Sequence, residues 1–164
     1  MLDLTDKNIY IVLIIIVVLL LILLYPKFLA SKKVKVYFGD QQAQYLVSKI
    51  REVELDDLYI NSIKELIKGP QSKELMKTIP SQTKLLNIKV EDGLARVNFS
   101  RELIDNHWGG TAGEMITVYS IVNTLAQFKE INRVRILVNG KQIKTLVGHL
   151  DLTHPLKFKA KLVK

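Results

Sequence analysis

Residues 85–99 read LLNIKVEDGLARVNF, and this stretch carries the strongest local fold signal of the chain. On both sides of Asp92-Gly93, apolar and polar side chains alternate, which is typical of strands with one buried face. Asp-Gly favours the positive φ angles of a two-residue turn whose geometry matches the twist of paired strands. The stretch therefore predicts a β-hairpin with one face buried.

A strand pair and a helix are predicted before this hairpin. Apolar side chains alternate over residues 34–38, and residues 45–55 are apolar and β-branched enough for a second strand. Residues 56–68 have helical spacing of apolar side chains after an Asp that can serve as the cap. Gly69 tolerates a left-handed helix end and Pro70 cannot continue a helix, so the two residues predict where this helix stops.

A second helix and a further strand are predicted after the hairpin. Thr111 and Glu114 have the spacing of a capping box, so a helix is predicted from there to about residue 128. Residues 134–138 alternate, and Asn139-Gly140 predicts a tight turn. The order β-β-α-β-β-α-β predicts an α+β fold in which two helices pack on one face of a small mixed or antiparallel sheet.

The N-terminal region has a different character. Residues 9–24 contain no charge, Gly or Pro. At about 1.5 Å per residue this run covers most of a ~30 Å hydrocarbon core, and the next residues can add the rest. We predict a short tail over residues 1–8 and one transmembrane helix over residues 9–30. A cleaved signal peptide and a buried core helix are the alternatives; bulky Phe28 disfavours the first, and the lack of a polar stripe disfavours the second.

Charge and cysteine content narrow the range of partners. The chain carries a formal charge of +8 and no Cys, which excludes disulfides and Cys-ligated metals. A basic domain suits anionic lipids, anionic envelope polymers or an acidic partner. There is no basic Gly-rich loop, no aromatic strand pair of the RNA-binding kind and no basic helix with a zipper. We therefore predict no nucleic-acid partner.

Catalytic and metal-binding patterns are missing from the sequence. His149 and His154 flank Asp151 in one loop, but their spacing matches no ligand signature and no fourth ligand is evident. A Ser-His-Asp grouping would need Ser120, which lies in the middle of a predicted helix and not on a strained turn. We therefore predict that the chain is not an enzyme and that it has no catalytic residue, metal or cofactor.

Two groups of residues are candidates for an interaction surface. Trp108, the single Trp, follows His107 in a loop with two glycines. An exposed Trp is a good anchor for a partner, although the side chain can instead plug the end of the core. Residues 157–164 form a basic tail, either an edge strand or disordered. In a strand the alternation places three lysines on one side: Lys157, Lys159 and Lys161.

Seven short pieces of the sequence, in order, resemble the GerMN domain of the sporulation and spore-germination protein family. Together they identify residues 34–156 as a GerMN-like domain. Asn123 and Thr124 are polar residues within one of these pieces, and we predict that they fix the loop before the last strand by local hydrogen bonds. The motif positions singled out as structural are Gly69, Pro70, Pro80, Asn123, Thr124 and Gly140. The pieces are LIKGP at 66–70, TIP at 78–80, TKLL at 83–86, VNFS at 97–100, IVNTL at 121–125, VRILVNG at 134–140 and GHLDLTHPL at 148–156.

The resemblance implies a non-enzymatic module outside the cytoplasmic membrane, with a fold similar to the ring-building domains of secretion and sporulation channels. We therefore expect a single-pass membrane protein that binds or assembles with other envelope proteins or with copies of itself, in sporulation or germination. Binding of anionic envelope polymers or lipids is the alternative, and a cell-wall hydrolase is a third. The positive-inside rule opposes this orientation, because lysines follow the apolar run. These are Lys27, Lys32, Lys33 and Lys35.

Overall fold

The structure, a computed structural model, describes the backbone of residues 4–28 and 30–164 and the side chains of residues 7–21 and 30–164. The chain divides into two units, Met1–Ser31 and Lys32–Lys164. The first unit contains one helix, α1 (Leu4–Phe28). Between residues 9 and 21 its large apolar side chains are 46–62% exposed.

The prediction that residues 9–30 form a transmembrane helix is wrong. Within the part of the chain that the structure describes, no helix is both long enough and apolar enough to cross a membrane. The predicted tail over residues 1–8 and the end of the predicted anchor, residues 22–29, lie wholly or partly outside the described residues.

The second unit has an α+β fold with two sheets, and the prediction of a single sheet is wrong. The strands are β1 (Ser31–Asp40), β2 (Leu46–Glu54), β3 (Leu75–Met76), β4 (Leu85–Glu91), β5 (Leu94–Phe99), β6 (Arg133–Val138) and β7 (Lys141–Gln142). One sheet has the strand order β2-β1-β3 and the other has the order β4-β5-β6-β7.

The central helix explains why two sheets are present. This helix, α4 (Thr111–Leu125), is buried without interruption from residue 116 to residue 125. It contacts the helix α2 (Leu58–Lys68) and the strands β2 and β6. A helix that is buried on all sides needs cover on more than one face, so one sheet could not bury it. The helices of this unit are α2 (Leu58–Lys68), α3 (Glu102–Asp105), α4 (Thr111–Leu125) and a 3₁₀ turn (Ala160–Leu162).

The hairpin predicted from residues 85–99 is present. Strands β4 and β5 pair in antiparallel fashion, with Val90 opposite Ala95 and Glu91 opposite Leu94. Asp92 and Gly93 have φ angles of 50° and 74°, as a two-residue turn between twisted strands requires. Strand β5 then pairs in parallel with β6, and the connection between them contains α3 and α4.

The residues singled out as motif positions lie at helix ends and turns. Gly69 follows α2 with φ 92° and ψ 179°, so its φ is positive but its backbone is extended and not left-handed helical. Pro70 comes next in the chain, and Pro80 is buried in the loop before β4. Gly140 has a φ of 75° in the turn between β6 and β7, and its N–H donates to Asn98 Oδ1 at 2.8 Å.

The C-terminal segment is ordered against both sheets without forming a strand of its own. Leu156 forms a single antiparallel bridge with Val134 of β6, and Val163 forms a single parallel bridge with Leu46 of β2. The 3₁₀ turn lies between these two bridges. Neither alternative considered from the sequence, an edge strand or a disordered tail, describes this segment.

Candidate functional site

Trp108 and His107 form a stacked pair at the surface of the domain. Their ring centroids lie 4.9 Å apart with 24° between the ring planes. Trp108 is 45% exposed, so one side of a large aromatic ring faces solvent. We call His107, Trp108 and the supporting Gly113 the Trp108 platform.

Hydrogen bonds on both ring nitrogens fix the orientation of His107. Its Nδ1 accepts the Gly109 N–H at 3.0 Å, and its Nε2 lies 3.0 Å from Thr117 Oγ1. The Thr117 hydroxyl donates to the Thr78 carbonyl at 2.7 Å, so Nε2 carries the proton and donates to Thr117. Because both nitrogens are engaged, the ring serves as a support for Trp108 and has no nitrogen left to act as a base.

Burial keeps this histidine neutral. Desolvation lowers the pKa of His107, and the nearby Glu114 carboxylate, which favours the charged form, does not reverse that effect. A neutral ring is also what the hydrogen bond from Gly109 to Nδ1 requires. The stacking partner of Trp108 therefore keeps one protonation state at neutral pH.

Gly113 makes room for the Trp108 ring against helix α4. A Cβ atom at residue 113 would lie 2.5 Å from Trp108 Nε1 and 2.8 Å from its Cδ1. Those distances are too short for any side chain, so the indole would have to move away. The glycine thus allows the ring to lie close to the first turn of α4.

The structure does not form the predicted row of three tail lysines. Lys157 and Lys161 are exposed, whereas Lys159 is partly buried. The Lys159 ammonium lies 4.5 Å from the centre of the Tyr119 ring and 3.8 Å from Met115 Sδ. Lys159 is therefore bound to α4 and is not part of a free basic surface.

Asn123 holds this part of the tail in place. It is fully buried, its Oδ1 accepts the Lys159 N–H at 2.9 Å, and its Nδ2 donates to the Lys159 carbonyl at 3.4 Å. Thr124, also fully buried, accepts the Tyr37 N–H at 3.3 Å. Both side chains bind backbone that is distant in sequence, and not the neighbouring loop as predicted.

Glu114 is a structurally central residue that sequence reasoning assigned the wrong role. The predicted capping box of Thr111 and Glu114 is absent, because the N-cap of α4 is Gly110 and no side chain makes a capping bond. Glu114 is instead fully buried. Its two carboxylate oxygens accept hydrogen bonds of 2.5–3.2 Å from the hydroxyl of Thr145 and from four backbone N–H groups in the loop after β7. Those N–H groups belong to Leu146, Val147, His149 and Leu150.

These hydrogen bonds keep the buried carboxylate charged. Desolvation by itself would raise the pKa of Glu114, but the bonds from Thr145, His149, Val147 and Leu146 outweigh it and leave the pKa below its ordinary value. A single charged residue inside an otherwise uncharged helix was the available sequence signal. Its partners lie more than thirty residues away, so no local pattern identifies them.

The histidines considered for metal binding are placed apart from any ligand cluster. His154 Nδ1 lies 3.8 Å from Asp151 Oδ2 on the surface, and His149 contributes only its N–H to Glu114. Across the described residues no group of three or more His, Asp or Glu side chains could hold a metal ion. Ser120 donates to the Thr117 carbonyl at 2.8 Å within its own helix.

Comparison with known proteins decides the family. A family model described as "Germane: Sporulation and spore germination" matches residues 35–144, which is about two thirds of the chain. The chain belongs to the Germane family. The resemblance to GerMN domains noted from the sequence is therefore confirmed. The Germane family is not known as an enzyme family.

Solved structures agree with this assignment of the Germane domain. The tandem GerMN domains of the sporulation protein GerM from Bacillus subtilis match with a TM-score of 0.67 and 22% identity, over 78% of this chain and 46% of theirs. The first GerMN domain of that protein alone matches with a TM-score of 0.65 and 20% identity, over 79% and 98%. This chain thus spans about half the length of the tandem structure, and at these identities the likeness establishes the fold.

A third structure with the Germane fold is described as a putative lipoprotein from Clostridium perfringens. It matches with a TM-score of 0.56 and 28% identity, over 78% of this chain and 88% of that one. No curated protein matches the chain.

Proposed function

We propose that this Germane domain is a non-enzymatic binding module of the bacterial cell envelope that serves sporulation or germination. The family description supports the biological setting. The Trp108 platform is the observation that supports binding, because it presents a half-exposed indole on a fixed support. The Trp108 platform would contact a protein partner, either another envelope protein or a second copy of the chain.

The rigidity of the Trp108 platform is what makes it suitable for binding. A Trp ring buries a large apolar area on contact, and few rotamers have to be frozen because stacking and hydrogen bonds already hold the pair. Trp is enriched among the residues that dominate binding energy at protein interfaces. Both ring nitrogens of His107 form hydrogen bonds within the domain, so the ring is not available as a catalytic base. This favours a binding role over the hydrolase alternative.

Two substitutions test the Trp108 platform. Trp108→Ala removes the indole, and Gly113→Ala displaces it while keeping it in the chain. In quantitative affinity purification of the full chain from its native cells, we expect both variants to lose the specific partner at least tenfold. Tyr45→Ala is the matched control, since Tyr45 is a similarly exposed aromatic at 42%.

Moderate salt should change the amount recovered with the wild-type chain only slightly, because the contact is apolar. Recovery of the same proteins in the same amounts by Trp108→Ala and by wild type would contradict a binding role for the Trp108 platform.

We also propose that the domain acts outside the cytoplasmic membrane. The similarity to a putative lipoprotein over most of that protein's length supports this location. A reporter that is active only outside the cytoplasm, fused after Lys164, is expected to be active. An inactive reporter in cells where the fusion is stably expressed would contradict this location.

A further inference from the structure

A groove of about 440 Å³ lies on the second unit, away from the residues of the Trp108 platform. Lys33 and Lys35 of β1 line it together with Ala126 and Gln127. Its apolar lining consists of Tyr37, Ile50 and Phe158, of which Ile50 is 57% and Phe158 39% exposed. We call this feature the basic groove.

The charge of the basic groove is not balanced by its own lining. Both lysines are exposed, no acidic residue lines the groove, and neither ammonium has an ion-pair partner among the described residues. By contrast, a neighbouring groove of about 390 Å³ contains Asp40 and Glu74 as well as lysines, so its charges compensate each other. The basic groove is therefore complementary to an anionic group.

The one amide side chain among the lining residues of the basic groove, Gln127, is already engaged. Gln127 accepts the Lys35 N–H at 2.8 Å and donates at 2.6 Å to the carbonyls of Lys35 and of Thr124. Its amide thus has little capacity left for a ligand. Recognition of an anionic group in the basic groove therefore falls to the two ammonium groups.

The spacing along β1 defines the shape of a ligand. Residues 33, 35 and 37 point to the same face of the strand, with about 6.5 Å between successive positions. Two positive charges are followed by the Tyr37 ring, which makes an edge contact with Phe158 at 5.9 Å between centroids. An extended peptide with acidic side chains at two alternate positions and an apolar side chain at the third has the same repeat.

The combination of charge and exposed apolar surface selects among anionic partners. A polymer of phosphate and glycerol has no apolar group to cover Ile50 and Phe158. A flat bilayer does not fit into a concave groove. We propose that the basic groove binds an extended acidic peptide segment of a partner protein, with carboxylates on Lys33 and Lys35 and an apolar side chain over Ile50 and Phe158.

Fluorescence anisotropy with the full chain tests this proposal. The probe is a labelled peptide containing Glu-Ser-Glu-Ser-Leu, and the control peptides replace both Glu by Gln or the Leu by Ser. We expect weak binding that saturates below about 1 mM of the Glu-Ser-Glu-Ser-Leu peptide. Binding should be about tenfold weaker for the double variant Lys33→Gln/Lys35→Gln and weaker by a similar factor for Ile50→Ser.

Matched controls separate the basic groove from general charge. Lys129→Gln/Lys141→Gln removes the same charge at exposed positions outside the groove, and it should bind like wild type. Trp108→Ala should also bind like wild type, which keeps this test independent of the Trp108 platform. Equal weakening by both lysine double variants would overturn the proposal.

Two competitors test the other anionic partners. If poly(glycerol phosphate) binds more tightly than the peptide and Ile50→Ser has no effect, the groove is a polymer site and the peptide proposal fails. If phosphatidylglycerol vesicles bind the chain, and Lys33→Gln/Lys35→Gln abolishes that binding without affecting the peptide, the lysines serve a membrane surface and the proposal fails as well.

Discussion

Replacing Glu114 by Ala is expected to lower the free energy of unfolding of the domain by about 3–5 kcal/mol, because the substitution leaves buried donors unpaired. Glu114 is the shared acceptor for the Thr145 hydroxyl and for four backbone N–H groups of residues 146–150. Ala removes the acceptor of all five hydrogen bonds and also leaves a cavity. Since small domains are stable by only about 5–15 kcal/mol, much of the total would be lost.

Chemical denaturation of the full chain measures this loss. Glu91→Ala is the matched control, because Glu91 is exposed and its ion pair with Arg96 lies at the surface; it should change stability by less than about 1 kcal/mol. Glu114→Gln keeps the size of the side chain but points an N–H₂ group at N–H donors. Its loss of unfolding free energy should therefore lie between those of Glu91→Ala and Glu114→Ala. A Glu114→Ala variant as stable as Glu91→Ala would show that the loop after β7 does not depend on the carboxylate.

The same carboxylate makes stability depend on pH. The pKa of Glu114 in the folded protein lies below its ordinary value of 4.5. Its contribution to stability is therefore fully present above pH 4.5 and is lost as the pH falls through the lower, folded-state pKa. In acid titrations, Glu114→Gln should show less loss of stability over this window than wild type. Identical acid profiles would mean that other carboxylates dominate.

Asn123→Ala is expected to destabilise the domain by about 2–3 kcal/mol and to release the end of the chain. Its amide is buried and satisfies both the N–H and the carbonyl of Lys159. Without it, these groups must open to water, and the contact of the Lys159 ammonium with Tyr119 is weakened as a result.

Hydrogen exchange is the direct measurement for Asn123. The Lys159 amide should exchange much faster in Asn123→Ala than in wild type, while amides of the β4–β5 hairpin should change only as far as global stability does. Asn87→Ala is the control, since Asn87 is exposed on β4. If the Lys159 amide remained equally protected in Asn123→Ala, the tail would be held by its two single bridges and not by Asn123.

The features that local sequence could predict are those whose causes are local. Asp92-Gly93 and the alternation around it determine the β4–β5 hairpin, because both strands and the turn lie in one short stretch. The parallel pairing of β5 with β6 depends on how α3 and α4, which connect the two strands, pack. The alternation of apolar and polar residues in the strands does not predict it. The second sheet follows from α4 being buried on all sides. Packing two helices on one face of a single sheet assumes instead that each helix buries one apolar stripe.

The candidate site shows the same division. Trp108 was identified because a single Trp in a glycine-containing loop is a local signal, but its support by His107, Thr117 and Gly113 is tertiary. Glu114 was interpreted through the capping-box spacing, and its real partners lie after β7. The tail lysines alternate in sequence, yet Asn123 binds the backbone of Lys159 and a 3₁₀ turn follows at once, so the three side chains do not share one face of an extended strand.

The bonds that Gln127 and Thr124 make to β1 also cover part of a strand edge. Strand β3 pairs with β1 only at Gly39 and Asp40, and nearer the start of β1 the side chains of Gln127 and Thr124 occupy the N–H groups of Lys35 and Tyr37. Unpaired edges of apolar strands act as templates for intermolecular sheets and amyloid-like aggregation. One side chain from α4 and one from the turn after it thus deny this segment of strand to other molecules.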